Sequence, residues 1–382
     1  MKIGLNCERL LQKDPAGPEV YTYNLINALA KIDYQNSYFL YFDDAPSKAF
    51  FDKLTAGNSN FISHAVKRTL SWTQLSLVPA LLKDKIDVFF TSVHTLPLAA
   101  IPFMRTVIMV HGFEYVYSEE HMKDLFVRHF KSGKHEWFIS TFSNRIIVPS
   151  NYVKKTLLEK YKLFVPDKKV SVIYEGVDAQ FYKRDAHEMK EVCDKYNLYD
   201  SPYLIFVSTI QPRKNIPAMI NAFALALAEN ISLRNVKLAI VGKKGWMYEE
   251  SLAAPSKYDI TDNVLFLGRV SDEGLAPLLS GARAFINCSF DEGFGLSLLE
   301  ALACECACIV SDISAFKEIG GDLPRYVDPG NVPSIQSAIE HVLTTQKDLS
   351  TGIKARARAQ EFTWEKTARE TLSVFESFGK NL

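Results

Sequence analysis

The sequence predicts an α/β protein of two Rossmann-like domains, each with a parallel sheet, facing across a cleft. Three observations predict it. Short runs rich in β-branched and aromatic residues alternate with helical patterns along the whole chain, the order that βαβ units impose. The alternation restarts after a polar stretch at 183–201. The length, 382 residues, suits about two domains of roughly 100–200 residues each.

The strands come first. In the first half the apolar runs fall at 2–6, 38–42, 88–91, 106–110, 145–148 and 169–173. In the second half they fall at 203–208, 237–241, 264–267, 284–287 and 308–311. Strands covered by helices on both faces read as such near-continuous apolar runs. Helical patterns lie between them, among others at 19–31, 152–161, 217–229, 297–303 and 333–344. The expected domains are 1–183 and 184–361, with 362–382 as a last helix. Ligands of such sheets sit at the carboxyl ends of the strands, so residues just after each strand are the candidates for chemistry.

Composition narrows the class. Hydrophobic residues make up 47% and charged residues 23%, which supplies two cores and excludes a disordered tail or a collagen. Six cysteines in a chain of this length read as reduced thiols, not as a disulfide framework. Cys304, Cys306 and Cys308 fall on different elements without a CxxC spacing, so buried structural thiols are expected there. The first strand starts at Lys2, which leaves no room for a signal peptide, and no apolar run approaches the roughly 20 residues of a membrane span. A cytoplasmic protein is expected, either free or peripheral at the inner face of the membrane.

The 44 basic and 44 acidic residues cancel, but unevenly: positions 1–183 hold 23 basic and 18 acidic residues. A mildly basic first half fits an anionic acceptor or membrane surface, or is an accident of composition. The stretch 121–138 interleaves Lys123, Arg128, Lys131 and Lys134 with Phe126, Phe130, Trp137 and Phe138. It reads as a lipid-facing surface or as a helix with a buried aromatic face. Nucleic acid is not an expected partner, because no dense basic stripe with interleaved aromatics occurs.

Two segments carry chemistry. In the first, a strand leads into Asp291-Glu292-Gly293-Phe294-Gly295-Leu296 and a helix beginning near Ser297, with Glu300 eight residues after Glu292. The glycines allow close backbone approach, and a helix N-terminus presents N–H groups to phosphate. One carboxylate can meet a sugar while the other accepts from ribose hydroxyls; the plain alternative is a turn with two surface acids. In the second segment, Arg213 and Lys214 stand at a strand-to-helix junction and suit a diphosphate, or form a solvated loop pair. No Asp-x-Asp occurs, so protein cations would have to stabilise the leaving phosphates. A nicotinamide-dependent oxidoreductase is disfavoured, since no Gly-x-Gly-x-x-Gly occurs.

With both segments in register, the chain resembles a retaining glycosyltransferase of the GT-B fold, family four, of the bacterial mannosyltransferase kind. The resemblance rests on Glu292 and Glu300 as the Glu-x7-Glu signature with Gly293, Phe294, Gly295 and Leu296 intact. Context comes from Gly242-Lys243-Lys244-Gly245-Trp246, Val264-Leu265-Phe266-Leu267-Gly268, Tyr174-Glu175-Gly176-Val177-Asp178 and Phe362-Thr363-Trp364-Glu365. The last of these opens a helix that, in the family, crosses back onto the first domain.

The resemblance implies that Glu292 lies by the donor sugar, Glu300 binds the ribose and Lys214 contacts the phosphates. It implies that Gly17 belongs to the glycine loop over the donor and that His111 positions the transferred sugar. Several positions depart from the family pattern. Ser208-Thr209 replaces a Gly-Arg pair, so Arg213 would supply that cation; Glu19 replaces a glycine; Glu175 replaces an Asn; Glu305 replaces a helix-ending Gly. Gly112 replaces the Asp after His111, with Glu114 as a candidate to compensate.

The implied function is a metal-independent transfer of a hexose, with mannose from GDP-mannose as the best guess, to a glycan or lipid-linked acceptor. No cofactor is implied besides the nucleotide-sugar donor. A nucleotide-sugar 2-epimerase of the same architecture and a non-catalytic nucleotide-sugar-binding protein are the alternatives.

Overall fold

The computed structural model describes residues 1–13, 15–93, 95–113, 140–346 and 348–379. Glu114 and the basic-aromatic stretch 121–138 lie outside the described residues. The chain forms two compact units: Met1–Gly176 together with Thr363–Leu382, and Val177–Phe362.

The first unit is built on seven parallel strands: β1 (Lys2–Asn6), β2 (Ser37–Phe42), β3 (Phe61–Ala65), β4 (Val88–Thr91), β5 (Arg105–Met109), β6 (Arg145–Val148) and β7 (Val170–Val172). Their order across the sheet is β3-β2-β1-β4-β5-β6-β7. Among the described residues its crossover helices are α1 (Gly17–Ile32), α2 (Lys48–Leu54), α3 (Val78–Asp84) and α4 (Asn151–Tyr161). Helix α1 starts where Pro18 presets the backbone torsion. It buries Tyr21, Leu25, Ile26 and Leu29, which pack with Ile3, Leu5 and Phe90 of the sheet.

The second unit has six parallel strands: β8 (Tyr203–Val207), β9 (Lys237–Val241), β10 (Val264–Gly268), β11 (Ala284–Asn287), β12 (Cys308–Ser311) and β13 (Arg325–Val327), in the order β10-β9-β8-β11-β12-β13. Its helices are α5 (Ala186–Lys195), α6 (Ile216–Glu229), α7 (Glu249–Lys257), α8 (Asp272–Gly281), α9 (Leu296–Ala303), α10 (Ser314–Gly320), α11 (Val332–Thr344) and α12 (Leu349–Ala359). Phe206, Ile240 and Ile286 of the sheet pack with Met219 and Phe223 of α6 and Ile335 of α11. Truncating a core aromatic such as Phe223 to Ala costs about 3–5 kcal/mol.

The last helix, α13 (Trp364–Glu376), returns to the first unit, where Trp364, Ala368 and Phe375 join the core that holds Leu5 and Leu25. The crossing requires Gly176. A Cβ there would sit 2.1 Å from the Trp364 nitrogen and 2.5 Å from the Thr363 carbonyl carbon.

The chain leaves the first unit at Gly176, earlier than the expected Lys183, because the intervening residues bond within the second. The Val177 N–H donates to the Phe362 carbonyl at 3.1 Å, and the Arg184 N–H donates to the Ser280 hydroxyl at 3.0 Å. Strands β3 and β13 were not among the expected ones. Strand β3 leaves Ile62, Ser63 and Ala65 exposed, and β13 has exposed Arg325 and half-buried Tyr326, so neither shows the doubly buried apolar run of a central strand. Strand β7 starts after the expected Lys169, whose ammonium turns away to the carbonyls of Ser140 and Thr141.

Sheet order fixes where ligands approach. It reverses between β1 and β4 in one unit and between β8 and β11 in the other, and crevices form at the carboxyl ends beside such switch points. Both chemistry-bearing segments of the second unit follow β8 and β11.

Candidate active site

Strands β8 and β11 pair side by side, with Leu204 opposite Ala284, so the loops that leave them run together. After β8 the chain makes one tight helical turn, Pro212–Lys214. It then passes through Asn215 in the left-handed region (φ 55°), held by a bond from its side chain to the Pro329 carbonyl at 2.8 Å, and enters α6. After β11 the loop ends at Gly295 (φ 105°), where a Cβ would meet the Phe316 ring at 2.9 Å, and α9 begins. The Phe290 N–H donates to the Arg213 carbonyl at 2.9 Å and ties the two loops together.

This tie brings Arg213, Lys214 and Glu292 into one cluster. Arg213 Nη1 donates to Glu292 Oε2 and to the Asp291 carbonyl, both at 2.8 Å. Lys214 Nζ donates to Glu292 Oε1 at 2.5 Å, and Ser289 Oγ lies 2.8 Å from the same oxygen. Ser289 Oγ is also 2.5 Å from Asn287 Oδ1, so its proton is shared between two acceptors. The three charged residues are only 7%, 4% and 8% exposed. Burial opposes the charge on Glu292, but the neighbouring Lys214 and Arg213 cations outweigh it and hold the carboxyl down at about 2.

Two buried cations share the Glu292 carboxylate at the mouth of a parallel sheet. Such a site can hold an anionic group by charge-assisted hydrogen bonds. The sequence left Arg213 and Lys214 as a diphosphate site or a solvated loop pair; both are buried and share Glu292 as a protein partner, so the solvated pair does not hold. Gly293 is half-buried, while Phe294 is buried with its ring edge-on to Phe362 at 6.1 Å. Leu296 opens α9, and Glu300 lies half-buried one turn inside it.

In the first unit, His111 follows β5 and Glu175 follows β7. His111 Nδ1 lies 3.4 Å from Glu175 Oε1, and the Tyr21 ring stands edge-on to the imidazole at 5.1 Å. Burial and the nearby Glu175 charge push the Tyr21 hydroxyl well up, so it stays protonated. Gly17 begins α1 with open space where its Cβ would stand. Glu19, two residues on, is buried; it accepts from the Ala16 N–H at 2.8 Å and lies 2.9 Å from Arg9 Nε. A capping and ion-pairing role therefore explains this departure from glycine.

Sequence reasoning did not assign Ser289, Asn287 or Tyr21. The one available signal was Asn287-x-Ser289-x-x-Glu292 directly after a strand, where short polar side chains hold a loop. Cys304, Cys306 and Cys308 are buried thiols, as expected, but only Cys308 lies in a strand: Cys304 caps the end of α9 and Cys306 lies in the loop between. Among the described residues no helix is long and apolar enough to cross a membrane.

Two family models match the chain. Residues 15–181 match the model described as glycosyltransferase family 4, and residues 190–360 match the one described as glycosyl transferases group 1. The chain belongs to glycosyltransferase family four. The O-antigen chain mannosyltransferase B of Escherichia coli is 28% identical to this glycosyltransferase-family chain over 261 residues, 67% of this chain and 66% of that one. A serotype-specific mannosyltransferase WbdA of E. coli is 31% identical over 193 residues. That alignment spans 50% of this chain but only 23% of the relative. Thus the chain spans less than two thirds of the length of these curated relatives. Among solved structures, HepE of Anabaena in complex with UDP-glucose superposes with a TM-score of 0.76 at 16% identity, over 99% of this chain and all of that one. This likeness establishes the GT-B fold.

Proposed function

We propose that this chain transfers a hexose, mannose from GDP-mannose as first choice, to a glycan or lipid-linked acceptor. The anomeric configuration is retained, and no metal takes part. The observation that carries the reading is the pair of buried cations, Arg213 and Lys214, gathered on Glu292 beside the β8/β11 switch point. Likeness to mannosyltransferases supports the choice of sugar.

In this reading the diphosphate lies by Arg213, Lys214 and the amino end of α9, with Glu300 on the ribose. Breaking the bond from the anomeric carbon sends its electron pair to a phosphate oxygen, where negative charge builds up. Preorganised cations act most strongly on charge that develops in the transition state. The acceptor hydroxyl attacks the same face and passes its proton to the departing phosphate. Glu292, fixed by three partners, holds the sugar without acting as a nucleophile; His111 positions the sugar, and Gly17 lets the backbone approach the donor. A lipid-linked acceptor would bring the protein to the cytoplasmic face of the membrane.

The test is a thermal-shift screen with GDP, UDP and dTDP sugars, followed by transfer assays with the donor that binds. A ligand at 100 times its Kd should add about 2.7 kcal/mol of stability. Release of an epimerised nucleotide sugar with no acceptor consumed would favour the 2-epimerase. Binding without turnover would favour a sugar-nucleotide-binding protein.

A further inference from the structure

Glu175 is buried, and among the described residues no Lys or Arg pairs with it. A buried carboxylate without a cation is costly, so its neighbours should explain its presence. Its neighbour is His111, whose Nδ1 faces Glu175 Oε1 at 3.4 Å. A neutral imidazole donates from one nitrogen only, and Glu175 Oε1 stands where it can accept from Nδ1. The other ring nitrogen, Nε2, is buried and has no hydrogen-bond partner among the described residues. Tyr21 supports the ring from the side, and Tyr21 in turn packs edge-on against Trp364 at 5.6 Å. The imidazole is thus oriented by one nitrogen and unsatisfied at the other.

We propose that Glu175 is a positioning residue: it fixes the ring orientation and the Nδ1 proton of His111, so that Nε2 is presented to a hydroxyl of the sugar substrate. The inference rests on the glycosyl-transfer reading for the identity of that substrate, but not for the pairing itself.

Two measurements on the full chain test it. Long-range ¹H–¹⁵N NMR of histidine-labelled protein, with His111 assigned through His111→Gln, reports which nitrogen holds the proton. The parent should show a proton on Nδ1, and Glu175→Ala should move His111 toward the Nε2–H tautomer. In transfer assays Glu175→Ala should lower kcat about tenfold to a hundredfold, the usual effect of losing a partner that orients a working group. Nucleoside diphosphate affinity should stay within about twofold. Glu175→Gln keeps an acceptor for Nδ1–H and should recover part of kcat.

An unchanged His111 tautomer in Glu175→Ala would overturn the inference. So would a kcat loss that Glu175→Gln does not relieve in a protein with parental melting behaviour. If even the parent transfers no sugar, glycosyl transfer itself fails, while the NMR result still decides the pairing.

Discussion

Glu292 in the second unit and Glu175 in the first are both buried past the carboxyl end of a strand, β11 and β7, yet their neighbours differ in kind. Glu292 meets a guanidinium, an ammonium and a hydroxyl, and its carboxyl is held down at about 2. Glu175 meets one imidazole nitrogen at 3.4 Å. The difference teaches what each carboxylate can do. A carboxylate locked by two cations is a fixed charge that shapes an anion site. One that faces a single imidazole can control another residue's proton.

Removing the charge of Glu292 is the strongest way to break this contrast. Glu292→Gln leaves two buried cations without their counter-ion, which should cost about 3–5 kcal/mol of unfolding free energy. The same variant should gain more stability from added nucleoside diphosphate than the parent does, because the anion replaces the lost charge. Equal ligand-induced shifts in both proteins would mean that Arg213 and Lys214 do not face the diphosphate.

The pH dependence sharpens the point. The folded carboxyl at about 2 lies below its ordinary 4.5. Its stabilisation is therefore fully present above about 4.5 and is lost as pH falls through about 2. Urea titrations should show a constant gap between parent and Glu292→Gln from about pH 8 to pH 5 that closes only in acid. A gap that closed near neutrality would count against the ion-paired carboxylate.

Next in size come the cations themselves. Charge-assisted bonds worth about 1.5–3 kcal/mol imply that Arg213→Ala or Lys214→Ala weakens nucleoside diphosphate binding about tenfold to 150-fold. Unchanged affinity by calorimetry in Arg213→Ala would confine Arg213 to holding Glu292. Ser289→Ala should do less. It removes one shared hydroxyl contact and should lower stability by about 1 kcal/mol, with Lys214 and Arg213 still in place. Chelation should have the smallest effect of all. On the proposed metal-free transfer, EDTA should leave the rate within about twofold. Complete loss, restored by Mg²⁺ or Mn²⁺, would contradict this.

The central strands of both sheets were legible because they are buried on both faces and read as unbroken apolar runs. Strands β3 and β13 were not, because exposed Ile62, Ser63 and Ala65 in the first, and exposed Arg325 with half-buried Tyr326 in the second, erase that signal. The segment that carries Glu292, its glycines and Glu300 was legible as strand, loop and helix because it is contiguous in the sequence. Arg213 and Lys214 were singled out too, but their pairing with Glu292 was not legible. Arg213 and Glu292 lie 79 positions apart, and His111 and Glu175 lie 64 apart. No local pattern joins them; only the order of strands in each sheet does. Glu175 showed in the sequence merely as a departure from a frequent Asn, and its meaning required the imidazole beside it.

The most direct measurement of the central claim is ¹H NMR of the product formed from GDP-α-mannose and a mannoside acceptor by the purified chain in EDTA. The account predicts a new α-linked mannoside, with GDP released in equal amount. A β-linked product, or an epimerised GDP-sugar with the acceptor untouched, would contradict it.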